Sequence, residues 1–308
     1  MPVRRWHKLA MLHKLETVYG TDAAPAATNA IVATNITFTP LQAEEVERDL
    51  MLPYFGNQGK LLTAEHGRIE FDVEIAGSGV KGTVPKYGSL LRACGMSETV
   101  TAATAVDYQI IEDGIESGSV RFNADGVQHI FLGAQANVTI NVSPKAIPKY
   151  RFSLVGLLGS VTDTVLPAVT MTGWIPPVIV NKANTVLTLH GWTAVAESVS
   201  LDLGNVLTPR FLIGDERVLV SDRKSTGTIV VEARSLAEIN WFQRAQARTR
   251  GALSLIHGTA DGNIVEITAP AVEIGVPSQG QTDGLINYSL PLSLCPVSGR
   301  DELKIKVR

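Results

Sequence analysis

The chain has 308 residues, 45% hydrophobic and 19% charged, and a formal net charge of −3. That composition can bury a sizeable core and excludes a wholly disordered chain, while the charge excludes a globally basic nucleic-acid binder. No run approaches the roughly 18 apolar residues of a membrane-crossing helix, and two cysteines, Cys94 and Cys295, are too few for a disulfide framework or a zinc site.

The N-terminal segment carries Arg4, Arg5, Lys8 and Lys14 around Trp6, Leu9 and Leu12. His7, Lys8 and His13 break its apolar stretch and no small-residue cleavage site follows, so it is not expected to be a signal peptide. Residues 1–33 read instead as an assembly arm, whose basic groups meet phosphate or the acidic groups of a neighbouring subunit. Glu44, Glu45, Glu47 and Asp49 cluster around Arg48 and read as a solvated loop. From Arg68 to Ile75 every odd position is apolar and every even one charged, the pattern of a strand with one wet face. Gly77-Ser-Gly79-Val-Lys-Gly82 follows it. A helix is predicted over Pro85–Cys94, with Tyr87, Leu90, Leu91 and Cys94 on one stripe and Gly95 as its stop.

Alternation returns at Val138/Ile140/Val142 and Phe152/Leu154, then at Val199/Leu201/Leu203, Leu290/Leu292/Leu294 and Leu303/Ile305/Val307. Four Asp-Gly pairs, at 113, 125, 261 and 283, supply the positive φ that tight hairpins need. Residues 158–190, with Pro167, Pro176 and Pro177, read as a surface connector. A second helix is predicted to start at Ser235. Ser235 and Glu238 form its capping box, Leu236, Ile239 and Phe242 its buried stripe, and Arg244, Arg248 and Arg250 lie toward its C-terminus.

The two halves match. Asn123-Ala-Asp-Gly126 aligns with Thr259-Ala-Asp-Gly262 at an offset of 136, and without a gap Phe131 then meets Ile267, Val138 meets Ile274 and Phe152-Ser-Leu154 meets Tyr288-Ser-Leu290. Gly67, Ile69 and Phe71 match Gly227, Ile229 and Val231 at an offset of 160. The difference of 24 residues falls as an insertion around residues 96–119. Accidental agreement between degenerate strand patterns is the alternative to a duplication.

Chemistry is sparse. Gly77, Gly79 and Gly82 fit the G-x-G-x-x-G spacing that cradles a pyrophosphate on backbone amides, but the preceding strand carries Arg68, Glu70, Asp72 and Glu74 where a dinucleotide fold has a buried apolar strand. A flexible strand-to-helix loop is the simpler reading. His7, His13, His66, His129, His190 and His257 show no ligand spacing, and Cys94 sits on an apolar stripe. No catalytic, cofactor-binding or metal-binding residue is therefore assigned, and no cofactor is expected.

Lys14-Leu-Glu-Thr-Val-Tyr-Gly-Thr-Asp-Ala-Ala-Pro25 with Asn29-Ala-Ile31 resembles the start of the major tail tube proteins of long-tailed, siphovirus-like bacteriophages. So do Gly77–Pro85 running into Leu90–Gly95, Asp125-Gly126 with Gly133-Ala-Gln135, Pro176-Pro177 with Asn184-Thr185, and Leu203-Gly-Asn205. Asp222-Arg-Lys224, His257-Gly258 and Gly262-Asn263-Ile264 extend the likeness over nearly the whole chain. The resemblance implies a mainly β protein made of β-sandwich or barrel tube domains with a flanking helix, forming stacked rings through which DNA leaves the virion. Combined with the matched halves, it implies two tandem domains, 34–157 and 191–308, flanking the connector, and a ring of three chains. It also implies self-association, contacts with tail terminator, tape measure and distal tail proteins, DNA passing without sequence-specific binding, no membrane partner, and assembly in the host cytoplasm into the virion tail. Residues 40–64 and 205–226 occupy equivalent places and are expected to be long hairpins or loops touching the next ring. Deleting residues 1–14 is expected to stop polymerisation and spare the fold. The inner tube of a contractile injection machine would share the fold; a phage adhesin or decoration protein, or a nucleotide-binding enzyme using Gly77, Gly79 and Gly82, are the other readings.

Overall fold

A computed structural model describes residues 3–308. The first half of the chain forms β1 (Leu9–Leu15), β2 (Thr34–Glu47), β3 (Lys60–Glu74), α1 (Gly88–Ala93), β4 (Met96–Thr101), β5 (Ala105–Ile110), β6 (Gly118–Ala124), β7 (Val127–Val142) and β8 (Lys149–Asp163). The second half forms β9 (Thr185–Leu189), β10 (Trp192–Thr193), β11 (Ala196–Asp202), β12 (Asn205–Leu212), β13 (Asp215–Arg223), β14 (Thr226–Glu232), α2 (Trp241–Gln246), β15 (Arg250–His257), β16 (Val265–Ile274), β17 (Ser278–Thr282), β18 (Leu285–Cys295) and β19 (Lys304–Val307). The protein is mainly β, and each helix has only six residues.

Alternation places the core. Ile69, Phe71 and Val73 of β3, with Ile75 just beyond it, point inward and are at most 1% exposed, while Arg68, Glu70 and Glu74 face out. Phe71 packs on Phe152 of β8, and Val138 and Ile140 of β7 continue the layer. Tyr87, Leu90, Leu91 and Cys94 bring α1 onto it as the stripe predicts, with Gly95 at φ 78 closing the helix.

Antiparallel pairing runs β1–β6–β7–β8–β3–β2 in the first half. In the second half β9–β15–β16–β18–β14–β11 follows the same order. The register agrees at the centre: Ile69 lies opposite Leu154, and Ile229 opposite Leu290. The ungapped match of Val138 with Ile274 does not hold. Val138 faces Phe152, whereas Ile274 faces Leu292, because the second half breaks this strand into β16 and β17. Asn137 faces Ser153 and Ser278 faces Ser289, so Gln279 stands in the place of Val138. The insertion expected around residues 96–119 contains the β4–β5 hairpin, which has no counterpart after α2.

The halves share one sheet network and one core. β7 pairs with β11, and β5 pairs with β19. Residues 205–223 form the hairpin β12–β13, and residues 34–74 the long hairpin β2–β3, as expected for both segments.

Several expectations change. Residues 1–33 are not one free arm: Leu9–Leu15 is the strand β1, with Met11, Leu12 and His13 buried against β6. Deleting residues 1–14 would therefore remove a strand rather than spare the fold. Met1 and Pro2, the start of that arm, lie outside the described residues. The connector assigned to 158–190 is shorter, since its ends belong to β8 and β9. Asp125-Gly126 and Asp283-Gly284 are two-residue hairpin turns with positive φ at both residues. Asp113-Gly114 and Asp261-Gly262 lie in longer loops, with positive φ at the glycine alone. The second helix starts later than predicted. Asn240 is its cap, accepting from Gln243 N at 3.0 Å, while Ser235 holds only a preceding turn. Leu236 and Phe242 are exposed; Ile239 and Trp241 are the buried residues here. Arg248 and Arg250 lie beyond the helix and pair with Glu273 on β16.

Candidate functional site

The glycine motif is a joint between the halves. Gly79 N donates to Gly262 O at 3.0 Å and Gly77 N to Asn263 Oδ1 at 2.6 Å. Lys81 pairs with Asp261 at 2.9 Å. The approach is backbone to backbone: a Cβ on Gly77 would stand 2.0 Å from Gly262 O, and one on Gly82 would stand 2.5 Å from Ala103 N. These glycines are small because another loop touches them, and the Gly77 and Gly79 amides that would face a phosphate donate to that loop.

The other ionisable candidates are dispersed, and their partners are structural. His13 is buried, and its Nδ1 lies 3.0 Å from Ser89 Oγ; burial lowers its pKa to about 4. His257 contacts Thr185 Oγ1 and Val178 O, and His190 contacts Val272 O; burial lowers both pKa values. His66 lies 2.8 Å from Ala64 O, His129 packs edge-on to Phe38, and His7 is exposed. Burial pushes the Cys94 thiol well up, which keeps it protonated and unreactive. Glu45 and Glu47 sit on β2 and pair with Lys60 of β3. A cleft of about 400 Å³ beside α1 holds Arg92 and Glu98, but Arg92 is engaged by Glu116 through two bonds of 2.6 Å.

Two features missed in the sequence organise the surface. The first is the segment after β1. The Glu16 carboxylate accepts from Gly20 N, Ser117 Oγ, Ser119 Oγ and Gly133 N at 2.7–2.9 Å. Asp22 pairs with Arg121. So fixed, Tyr19 reaches β13, where its hydroxyl accepts from Val218 N and donates to Val218 O. The second is a run of eight strands, β2–β3–β8–β7–β11–β14–β18–β17, that crosses both halves. Its solvent face carries Glu70, Ser153, Asn137, Ser200, Thr228 and Ser293. Arginines on it are paired: Arg68 with Glu70 at 2.7 Å, and Arg151 with Glu70 at 2.8 Å and Asp72 at 3.0 Å. Its two ends, β2 and β17, are open edges among the described residues.

A family model described as phage tail tube protein matches residues 6–294. The chain belongs to that family. Among curated proteins none matches it. As a phage tail tube protein it is a structural component of the virion tail, and assembles with itself and with other tail proteins. Tail tube membership agrees with the surface: its prominent features are open edges, long hairpins and a polar sheet face.

Proposed function

We propose that three copies of this chain form one ring, and that rings stack into the tube that conducts DNA out of the virion into the host. In this reading each half is one tube domain, the halves arose by duplication, and a ring of three chains has six domains. The observation that carries it is the common strand order of the two halves within one continuous polar run of eight strands. Closing such a run into a circle removes its open edges. The polar face becomes the lumen wall, and its ion-paired arginines leave little free positive charge to retain phosphate by counterion release. The outer part of β2–β3 and the β12–β13 hairpin meet the adjacent ring. Tail terminator and distal tail proteins cap the tube, a tape measure protein occupies it before DNA does, and assembly takes place in the bacterial cytoplasm.

Electron microscopy of the purified protein, with mass measurement of dissociated rings, tests this. Long hollow tubes built from rings of three chains are expected. Six whole chains per ring, or a monomer that never polymerises, would overturn it.

A further inference from the structure

The β12–β13 hairpin of the second half is held down by residues from the start of the chain. It is a sheet of its own and pairs with no other strand among the described residues. Its middle touches the first half: Val218 is wholly buried, and Val220 N donates to Gln135 Oε1 at 2.7 Å. The Tyr19 hydroxyl accepts from Val218 N at 2.5 Å and donates to Val218 O at 3.2 Å. The tip is seated more loosely. A cleft of about 350 Å³ opens between its Phe211 and Glu216 and the first half's Leu62, Leu157 and Leu158, and Ile213 at the turn is fully exposed.

Tyr19 can hold the hairpin because it is itself held. Its ring lies on Gly133 of β7, where an added Cβ would stand 2.6 Å from the ring, and the Arg217 guanidinium lies 5.9 Å from the ring centroid. The Glu16 carboxylate ties the turn to Ser117, Ser119 and Gly133, Asp22 pairs with Arg121 at 2.5 Å, and Ala23 N donates to Ser119 Oγ at 2.9 Å. Ser119 and Arg121 belong to β6, the strand on which β1 is laddered, and Glu16 N extends that ladder by donating to Ser117 O at 2.9 Å. The other side of β1 meets residues 30–31 through the Leu12–Ala30 bridge and a bond from Ile31 N to Met11 O. β1 can therefore open without dismantling the rest of the sheet.

His13, within β1, resists charge in this position. It is 2% exposed, its Nδ1 lies 3.0 Å from Ser89 Oγ, and its Nε2 has no partner. Nε2 lies flush with Gly118, where an added Cβ would stand 2.3 Å away, leaving no space there for an acceptor. β6 places uncharged Val120 opposite it, and residues 28–31 bring no charge. The cleft that His13 lines carries Lys86 and Arg92 from the α1 segment and Glu98 from β4; the Glu98 carboxylate accepts from the Tyr108 hydroxyl at 2.8 Å and faces Arg92 at 3.7 Å. A second proton on the imidazole would be buried beside two cations with no acceptor for it.

We propose that residues 9–22 form an acid-released strap, which fastens the β12–β13 hairpin of the second half to the first half. At neutral pH β1 fixes Glu16, Glu16 fixes the turn that carries Tyr19, and Tyr19 holds Val218. When His13 takes a proton, β1 leaves β6, the anchors on Ser117 and Ser119 are lost, and the hairpin is left with Gln135 as its polar hold. The strap lies within one chain and does not depend on how copies assemble.

Hydrogen exchange of the full chain, corrected for the pH dependence of the chemical exchange rate, tests this. At pH 7 Tyr19→Phe is expected to speed exchange at the Val218 amide and leave β1 unchanged; equal exchange at Val218 in the two proteins would overturn the clasp. From pH 7 to 5 the unmodified chain is expected to gain about 20-fold in exchange over residues 9–15, the factor set by a His13 pKa of 6.5 unfolded and about 4 folded. Residues 215–223 are expected to rise in step, with β8 unchanged and both rises absent from His13→Asn. A hairpin that stays protected while β1 opens, a rise that His13→Asn retains, or loss of protection in β8 at the same pH would overturn the strap. Should His13→Asn not fold, the imidazole resonance of His13 in the unmodified chain decides: it is expected to titrate together with the loss of protection in β1, and a proton taken up while β1 stays protected would overturn the release.

Discussion

At Gly77 one methyl group is enough to disturb the joint between the halves. Its added Cβ would sit 2.0 Å from Gly262 O, and a carbonyl held in a loop cannot rotate away as a side chain can. Gly77→Ala is expected to cost about 2 kcal/mol, read as a lower Cm in urea unfolding. His13 is the second sensitive residue. Its ordinary pKa of 6.5 falls to about 4 in the buried state, so the unfolded chain binds a proton that the folded chain refuses. Its contribution is undiminished above pH 6.5 and declines as pH falls toward 4. Acidification from pH 7 to 5 is expected to remove about 2 kcal/mol through this group, and His13→Asn to flatten that part of the profile in thermal melts. Neither role was legible in the sequence. The G-x-G-x-x-G spacing is the same whether the glycines admit a phosphate or another loop, and the loop that decides it lies far along the chain. Cys94 was legible because its place on an apolar stripe is a local property.

Elements differ in how plainly they announce themselves. β3 follows from period-2 spacing and α1 from helical spacing, with Leu90 and Leu91 of α1 buried and Ser89 and Arg92 only half-buried. The start of α2 does not. Glu238 N does approach Ser235 Oγ at 3.3 Å, but its carboxylate accepts from Trp192 Nε1 instead of closing the box, and Asn240 caps the helix. Asn240→Ala is expected to cost about 1 kcal/mol and Ser235→Ala less than half of that, by urea denaturation. β17 is invisible to periodicity, because Ser-Gln-Gly-Gln-Thr has no apolar residue to alternate. It is a strand because the Asp283-Gly284 turn folds it onto β18. The ungapped alignment of the halves fails at the same place, where a single strand of the first half corresponds to two in the second.

For the whole molecule, what matters is that the halves are stitched at separate points: β7 to β11, β5 to β19, and the glycine loop to residues 261–263. Arg223 adds a buried pin, bonding Glu302 at 2.7 Å and Ile111 O at 3.4 Å, with only 11% and 10% of the two charged side chains exposed. Arg223→Ala leaves Glu302 unpartnered in that site and is expected to cost about 3 kcal/mol, measured by chemical denaturation. So joined, the halves are expected to unfold together in one calorimetric transition; two resolved transitions would contradict the shared core. The expectation of two matched halves came from the sequence, but the strand pairing between them did not, since strand partners from distant segments leave no mark on local pattern. The composition of β17 has a further consequence for growth. A border made only of serine, glutamine, glycine and threonine gains little apolar burial from a chance encounter in solution. In the ring reading, free subunits therefore gain little by pairing one by one at this border, and tubes are expected to lengthen from an already ordered end faster than new ones start.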